Sequence, residues 1–318
     1  MPRLELRPFS DEHLEAAGGL LAERQRRHRL AEPALPERFE DAAAARDEVE
    51  AAWRRDDASG AVALREGRLA GYLVGAPGNE AVWGANVWVE VAGHAVDEAE
   101  LLRDLYAEVA GRWADEGRTR HYAVVPASDP ELVDAWFRLC FGQQHAYGIC
   151  EVRDEPWPET ARPVELRDVD ALLALVPKLG GHQTRSPVFS GLRDGEDADE
   201  LRAELEGEVG SAEIGSLVAE VDGRVVGNFG VVPVEHSGVH VGLARPPGAC
   251  FLAFAVTDPE VRGSGAGLAL TSACFAWAHE AGYATMVTDW RVTNLLSSRF
   301  WPGRGFRTTF LRLYRSIP

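Results

Sequence analysis

Apolar residues recur at helical spacing from Asp11 to Arg29, from Phe39 to Arg55 and from Leu101 to Trp113. The same period returns over Asp168 to Leu179, Asp197 to Val209 and Leu268 to Ala281. Shorter stretches between them read as strands. Val62-Ala63 followed by Gly67-Arg68 and Gly71, and Val218-Ala219 followed by Gly223-Arg224 and Gly227, each read as strand, tight turn, strand. Glu66-Gly67 and Asp222-Gly223 stand where a two-residue hairpin needs positive backbone angles. Cys250 to Thr257 and Met286 to Trp290 are apolar enough for buried strands. The predicted order is strand, one or two helices, hairpin, strand, helix, strand, helix, closing strand, and it occurs twice.

Local identities follow the same doubling. Glu5-Leu6-Arg7 recurs as Glu165-Leu166-Arg167, 160 residues on, and each copy is expected to open a strand that leads into a helix. The hairpins recur after 156 residues, and Asp129, Trp136 and Phe141 reappear as Asn294, Trp301 and Phe306 after 165. Three matches in one order with little drift indicate an internal duplication. Regular structure is broken from Arg153 to Pro163 by Pro156, Pro158 and Pro163. The expected domains are therefore residues 1–155 and 163–318. Strands alternating with helices in this mixture predict an α/β fold, each domain a mixed, mostly antiparallel sheet flanked by helices.

Composition narrows the function. The chain has 318 residues, 46% hydrophobic and 26% charged, which suits two globular domains and excludes disorder. Its net charge of −17 repels phosphate backbones, so no nucleic-acid partner is expected. The longest apolar run, Ala249 to Val256, is far below the roughly 20 residues of a membrane span, and the N-terminal residues lack a signal-peptide core. A cytoplasmic protein without membrane contact is the expectation. Cys140, Cys150, Cys250 and Cys274 form no C-x-x-C pair, and no His cluster stands at ligand spacing, so reduced thiols and no metal are expected.

One segment carries chemistry. Val256-Thr257-Asp258-Pro259-Glu260-Val261-Arg262-Gly263-Ser264-Gly265-Ala266-Gly267-Leu268 takes a buried strand through a glycine-rich turn straight into a helix. Glycines let the backbone approach a phosphate, successive N–H groups can point at it, and the helix dipole adds positive potential. No G-x-x-x-x-G-K-[ST] sequence is present, and the segment does not sit at a first strand-to-helix turn, so neither triphosphate hydrolysis nor dinucleotide binding fits.

Arg262-x-x-Gly265-x-Gly267, preceded by Val256-x-x-Pro259-Glu260, resembles the acetyl-CoA pyrophosphate loop of the GNAT N-acetyltransferase superfamily. Asn294, Trp301, Gly305 and Phe306 are similar to that family's later helix, and Gly223 to Gly227 to its hairpin. The resemblance covers Val164 to Pro318; the first half resembles the same fold more weakly, giving a tandem layout similar to that of the mycothiol synthases. It implies that the N–H groups of Arg262, Gly263, Ser264, Gly265, Ala266 and Gly267 hold the pyrophosphate of acetyl-CoA. It implies further that Asn294 and Trp301 border the cofactor and that a backbone N–H near Val256 polarises the thioester carbonyl. The amine then attacks the thioester directly.

Two positions depart from the family. Trp301 stands where a Tyr usually protonates the departing thiolate, and indole N–H is too weak an acid for that role. Cys250 to Thr257 holds no carboxylate, so the family's glutamate base is missing there. Glu235, His236, Asp289 and Tyr314 are weak catalytic candidates, with His182 a further candidate base. In the first half, Asp97-Glu98-Ala99-Glu100-Leu101-Leu102 projects onto Arg262 to Gly267 and offers three carboxylates and no glycine. That half reads as structural. The expected function is acetyl transfer from acetyl-CoA to a primary amine of a small molecule; the alternative is an acyl-CoA-binding sensor or scaffold without turnover.

Overall fold

The computed structural model describes residues 4–190 and 197–318. The elements of the first repeat are β1 (Leu4–Pro8), α1 (Leu14–Ala31), α2 (Ala42–Trp53), β2 (Ser59–Arg65), β3 (Arg68–Gly75), α3 (Glu80–Trp83), β4 (Asn86–Val89), β5 (His94–Val96), α4 (Leu101–Asp115), β6 (Arg120–Pro126), α5 (Pro130–Arg138) and β7 (Gly142–Glu151). The second repeat follows with β8 (Ala161–Pro163), α6 (Val169–Gln183), α7 (Ala198–Glu208), β9 (Gly215–Val221), β10 (Arg224–Pro233), β11 (Cys250–Thr257), α8 (Ala266–Glu280), β12 (Thr285–Arg291), α9 (Ser297–Gly303) and β13 (Arg307–Ser316). Both repeats are mixed α/β, as the hydrophobic pattern predicts. The chain divides into two compact units. One holds the chain up to Tyr147 with Val241–Pro247 and Thr308–Pro318; the other holds Gly148–His240 and Gly248–Arg307.

In the first unit β1, β2, β3 and β5 form an antiparallel sheet. The β2–β3 turn has Glu66 at φ 53° and Gly67 at φ 77°, matching the right-handed twist of the flanking strands. Helices cover both faces, so β2 is buried along most of its length. Ala61 and Ala63 meet Leu102 and Leu105 of α4, and on the other side Tyr72 packs on Phe9 and donates to the Ala92 carbonyl at 2.8 Å. β4 runs parallel to β6, and β13, the last strand of the chain, runs antiparallel to β6 from Phe310↔Pro126 to Ser316↔Arg120. Between β4 and β5 the chain turns at Glu90–Gly93, and Arg24 of α1 donates to the carbonyl of Val91 within that turn and to that of His94 just after it.

The second unit repeats the plan. β8, β9, β10 and β11 are antiparallel in sequence order, and β11 then runs parallel to β12. α6 and α7 pack with Val218 and Val256 in one apolar cluster, while α8 packs against β9 and β10. Trp277 of α8 lies so close to Gly215 that a Cβ there would stand 2.6 Å from the indole.

One expected correspondence is wrong. Glu5-Leu6-Arg7 lies in β1, but Leu166–Asp168 is a 3-10 turn with Leu166 exposed. The Asp168 carboxylate accepts from the Glu165 N–H at 2.8 Å and pairs with Arg162, which turns the chain out of the sheet before Leu166. The strand equivalent to β1 is the three-residue β8. Pro8 and Pro163 end the two strands 155 residues apart, close to the spacing of the hairpins, and a 3-10 turn follows each.

Burial predicts a pH effect. His28 and His94 are 3% and 0% exposed. Burial, reinforced by the Arg24 guanidinium, lowers their pKa values to about 4 and about 3. In the unfolded chain both titrate near 6.5, so below that pH the unfolded state binds protons that the folded state refuses. Stability should fall from pH 6.5 towards pH 4, by about 1.4 kcal/mol per pH unit for each histidine. Urea unfolding at pH 7 and pH 5 checks this: His28→Leu should lose less between the two than the natural chain, and an equal loss would contradict it.

Candidate active site

β11 and β12 make a fork. Their parallel pairing is limited to Cys250↔Met286 and Phe251↔Val287, after which they separate. Thr288 closes the base of the fork by donating its hydroxyl to the Leu252 carbonyl at 2.9 Å. On its other edge β11 stays paired with β10, but the register shifts between Gly230↔Phe254 and Val231↔Leu252, leaving Ala253 as an extra, exposed residue. A bulge of this kind takes backbone groups out of the ladder and aims them elsewhere.

The glycine loop follows β11. The Asp258 N–H donates to the Val226 carbonyl at 2.7 Å, and Pro259–Val261 make a 3-10 turn whose Glu260 N–H is accepted by the Asp258 carboxylate at 3.1 Å. Lys178, the only lysine of the chain, reaches from α6 to that carboxylate at 2.9 Å and is the main reason Asp258 titrates below the usual carboxylate range. Gly263 and Gly265 then adopt φ 87° and 91°, where side chains are strained, and a Cβ on either would meet only open space. α8 starts at Ala266 with Gly265 as its N-cap. Within the loop Ser264 N–H donates to the Val261 carbonyl and Ala266 N–H to the Ser264 hydroxyl. The N–H groups of Arg262, Gly263, Gly265 and Gly267 find no acceptor among the described residues. Arg262 is exposed and makes no ion pair there. The loop thus sets unpaired N–H donors, a helix start and an exposed guanidinium side by side on the surface.

The other expected site residues separate. Val256 is 5% exposed and paired across from Asn228, so its side chain belongs to the core. Asn294 accepts from the N–H groups of Leu296 and Ser297 and lies 3.2 Å from Nε2 of His182, tying α6 to the start of α9. Trp301 is buried among Phe229, Phe300 and Phe306, edge-on to Phe306 with centroids 5.5 Å apart. Trp136 meets Phe141 edge-on in the same way at 4.7 Å. Glu235 and His236 are exposed on a 3-10 turn after β10, beyond the closed end of the fork, and Asp289 lies on β12 two residues past its last pair with β11. Tyr314 lies in the first unit, on β13 opposite Tyr122, with ring centroids 5.0 Å apart. Tyr283 precedes β12 and stacks on Trp277, away from the open end of the fork. Sequence reasoning missed Ala253 and Thr288; a bulge and a hydroxyl bridging two strands leave no local signature.

The three buried thiols are poor nucleophiles. All four cysteines are free, and burial pushes Cys150 and Cys250 up to about 12 and Cys274 well above its ordinary value.

Residues 182–306, which span the fork, the glycine loop and α9, match the Acetyltransferase (GNAT) family model. Over 123 residues the chain is 32% identical to the aminoglycoside N(6')-acetyltransferase type 1 of Stenotrophomonas maltophilia, covering 38% of this chain and 78% of that protein. The chain belongs to the GNAT acetyltransferase family. Fold comparison extends the likeness beyond the matched segment. The GCN5-related N-acetyltransferase of Sphaerobacter thermophilus superposes with a TM-score of 0.57 at 14% identity, over 98% of this chain and 95% of that one. A GCN5-related glucosamine N-acetyltransferase region in a fungal multi-domain GH3 β-N-acetylglucosaminidase gives 0.52 at 12% identity, over 99% of this chain and 38% of that one. With its repeated element order, this chain is a tandem GNAT protein. No described helix is long and apolar enough to cross a membrane.

In this GNAT chain the free loop donors predict the effect of a carboxylate among them. Ser264→Glu adds negative charge without forcing a side chain onto a positive φ. CoA affinity, measured by titration calorimetry, should fall at least about tenfold, the loss of roughly 1.4 kcal/mol, with the thermal midpoint unchanged. An unchanged affinity would mean that the loop does not hold the diphosphate.

Proposed function

We propose that the second unit transfers the acetyl group of acetyl-CoA to a primary amine of a small molecule. The observation that carries this reading is the set of four unpaired N–H groups and the free Arg262 beside the open end of the β11–β12 fork. The loop residues Arg262 to Gly267 would hold the diphosphate, Asn294 and the wall around Trp301 would border the rest of the co-substrate, and the fork would admit the thioester arm. Backbone donors freed at the Ala253 bulge, three residues before Val256, are suited to polarise the thioester carbonyl. The amine nitrogen bonds to the acetyl carbon, the C–S bond breaks, and CoA leaves as the thiolate while the ammonium proton passes to solvent. The raised pKa values of the buried Cys150 and Cys250 thiols support direct transfer without an acyl-enzyme intermediate.

The first unit is read as having no acetyl-CoA site. Its strand-to-helix loop runs only from Asp97 to Glu100, against Asp258 to Gly265 in the second unit, so the 3-10 turn and the glycines are both missing. Glu100 stands at the N-cap where Gly265 stands in the other repeat. An amino sugar is the first acceptor class to try, because the related protein is named as an aminoglycoside acetyltransferase. Trp301 in place of a phenol favours a second reading, acyl-CoA binding without turnover.

A thiol-release assay with acetyl-CoA separates the two readings when run over amino sugars, polyamines, amino-acid conjugates and peptide N-termini. Release with a small-molecule amine is expected; CoA binding with no release on any amine would favour the sensor. With an acceptor in hand, Trp301→Phe should keep kcat within about tenfold, because a buried indole in an aromatic cluster packs and does not donate the proton. A drop of about a hundredfold with CoA affinity intact would assign the indole a direct part in turnover.

A further inference from the structure

The β11–β12 fork has a floor. The ladder between the strands ends at Phe251↔Val287, and Thr288, the next residue on β12, comes opposite Leu252. Its hydroxyl donates to the Leu252 carbonyl at 2.9 Å, so the side chain reaches across the gap between the strands. Thr288 is only 2% exposed, and the residues behind it, Cys250, Met286 and Val287, are buried. The Cys250 thiol is turned to the Thr285 carbonyl on the same strand pair. A close-packed core leaves a ligand no path past this point.

The other end of the fork is open. The glycine loop follows Thr257, so an arm entering from the loop passes Val256 and reaches Ala253 before it meets Thr288. Ala253 is the extra, exposed residue of the bulge, directly after the carbonyl that Thr288 holds. One strand residue is a step of roughly 3.3 Å. A thioester carbonyl held by backbone donors at Ala253 therefore has about one such step between it and the floor. That depth suits a methyl group. Each added methylene needs space that Thr288 and the buried residues behind it already fill.

We propose that Thr288 sets the acyl length that the fork accepts: an acetyl group fits above the Thr288–Leu252 hydrogen bond, and longer straight-chain acyl groups run into it. This rests on the reading that the fork holds the thioester arm of acetyl-CoA, and it adds which acyl-CoA molecules can be donors. Thr288 acts by occupying space. Its hydroxyl hydrogen is committed to Leu252 and takes no part in proton transfer.

Titration calorimetry with CoA, acetyl-CoA, propionyl-CoA and butyryl-CoA tests this without an acceptor amine. The natural chain should bind acetyl-CoA at least about tenfold more tightly than butyryl-CoA, the low end of what a hydrophobic pocket gives per methylene. Thr288→Ala should shrink that preference by about tenfold. Thr288→Val keeps the volume without the hydroxyl and should retain the preference. Thr288→Ser keeps the bond to Leu252 but loses a methyl, and should gain propionyl-CoA relative to acetyl-CoA; this comparison decides the matter if Thr288→Ala does not fold. A purely structural residue would weaken all four ligands together and leave their ratios unchanged. Equal affinities in the natural chain, ratios unmoved by Thr288→Ala or Thr288→Ser, or a preference lost in Thr288→Val would each overturn the proposal. With CoA itself still bound, those results leave the reading of the fork standing; no binding of CoA would bring down both.

Discussion

A backbone N–H with no acceptor must be solvated or occupied, and within Arg262 to Gly267 four of them stand together at one helix start without an acceptor among the described residues. The rest of that unit supports this exposure. Two glycines at positive φ turn the donors outwards, and Asp258, held by Lys178, fixes the turn before them. The fork between β11 and β12 opens beside them because only two residue pairs join the strands. In the first unit the equivalent helix α4 has Asp97, Glu98 and Glu100 ahead of it, each paired with an arginine, and their charge favours the positive end of the helix dipole. One repeat thus leaves its helix start open, and the other sets carboxylates ahead of it.

The two tryptophans illustrate what duplication retains. Trp136 and Trp301 stand 165 residues apart and each meets a phenylalanine edge-on five residues later. A feature kept in a repeat with a glycine loop and in one without it belongs to packing. With Cys150, Cys250 and Cys274 buried and the indole packed, the proposed transfer relies on positioning and backbone donors more than on acid–base side chains.

Much of this was legible in the sequence because the signals are local. The hairpins at Glu66-Gly67 and Asp222-Gly223, the helical periods and the glycines at 263 and 265 each depend on a few adjacent residues, and the elements form where the pattern predicts them. Failures came where geometry depends on distant partners. Glu165-Leu166-Arg167 copies the letters of a strand, but the Asp168 carboxylate captures the Glu165 N–H and the chain turns. Nothing near β13 announces that its partner is β6, so Tyr314 was a candidate for a site in the other unit. The Ala253 bulge exists only as a mismatch between two strands, and the Thr288 hydrogen bond to Leu252 only as a link across them. Periodicity carries neither kind of information.

The central claim is that the diphosphate of acetyl-CoA is held by the backbone of Arg262 to Gly267 and nowhere in the first unit. Amide hydrogen exchange of the full chain, with and without CoA, reads those donors directly. The account predicts slowed exchange at Arg262 to Gly267 on adding CoA and no change at Asp97 to Leu102. Protection at Asp97 to Leu102, or unaltered exchange across the glycine loop with CoA bound, would contradict it.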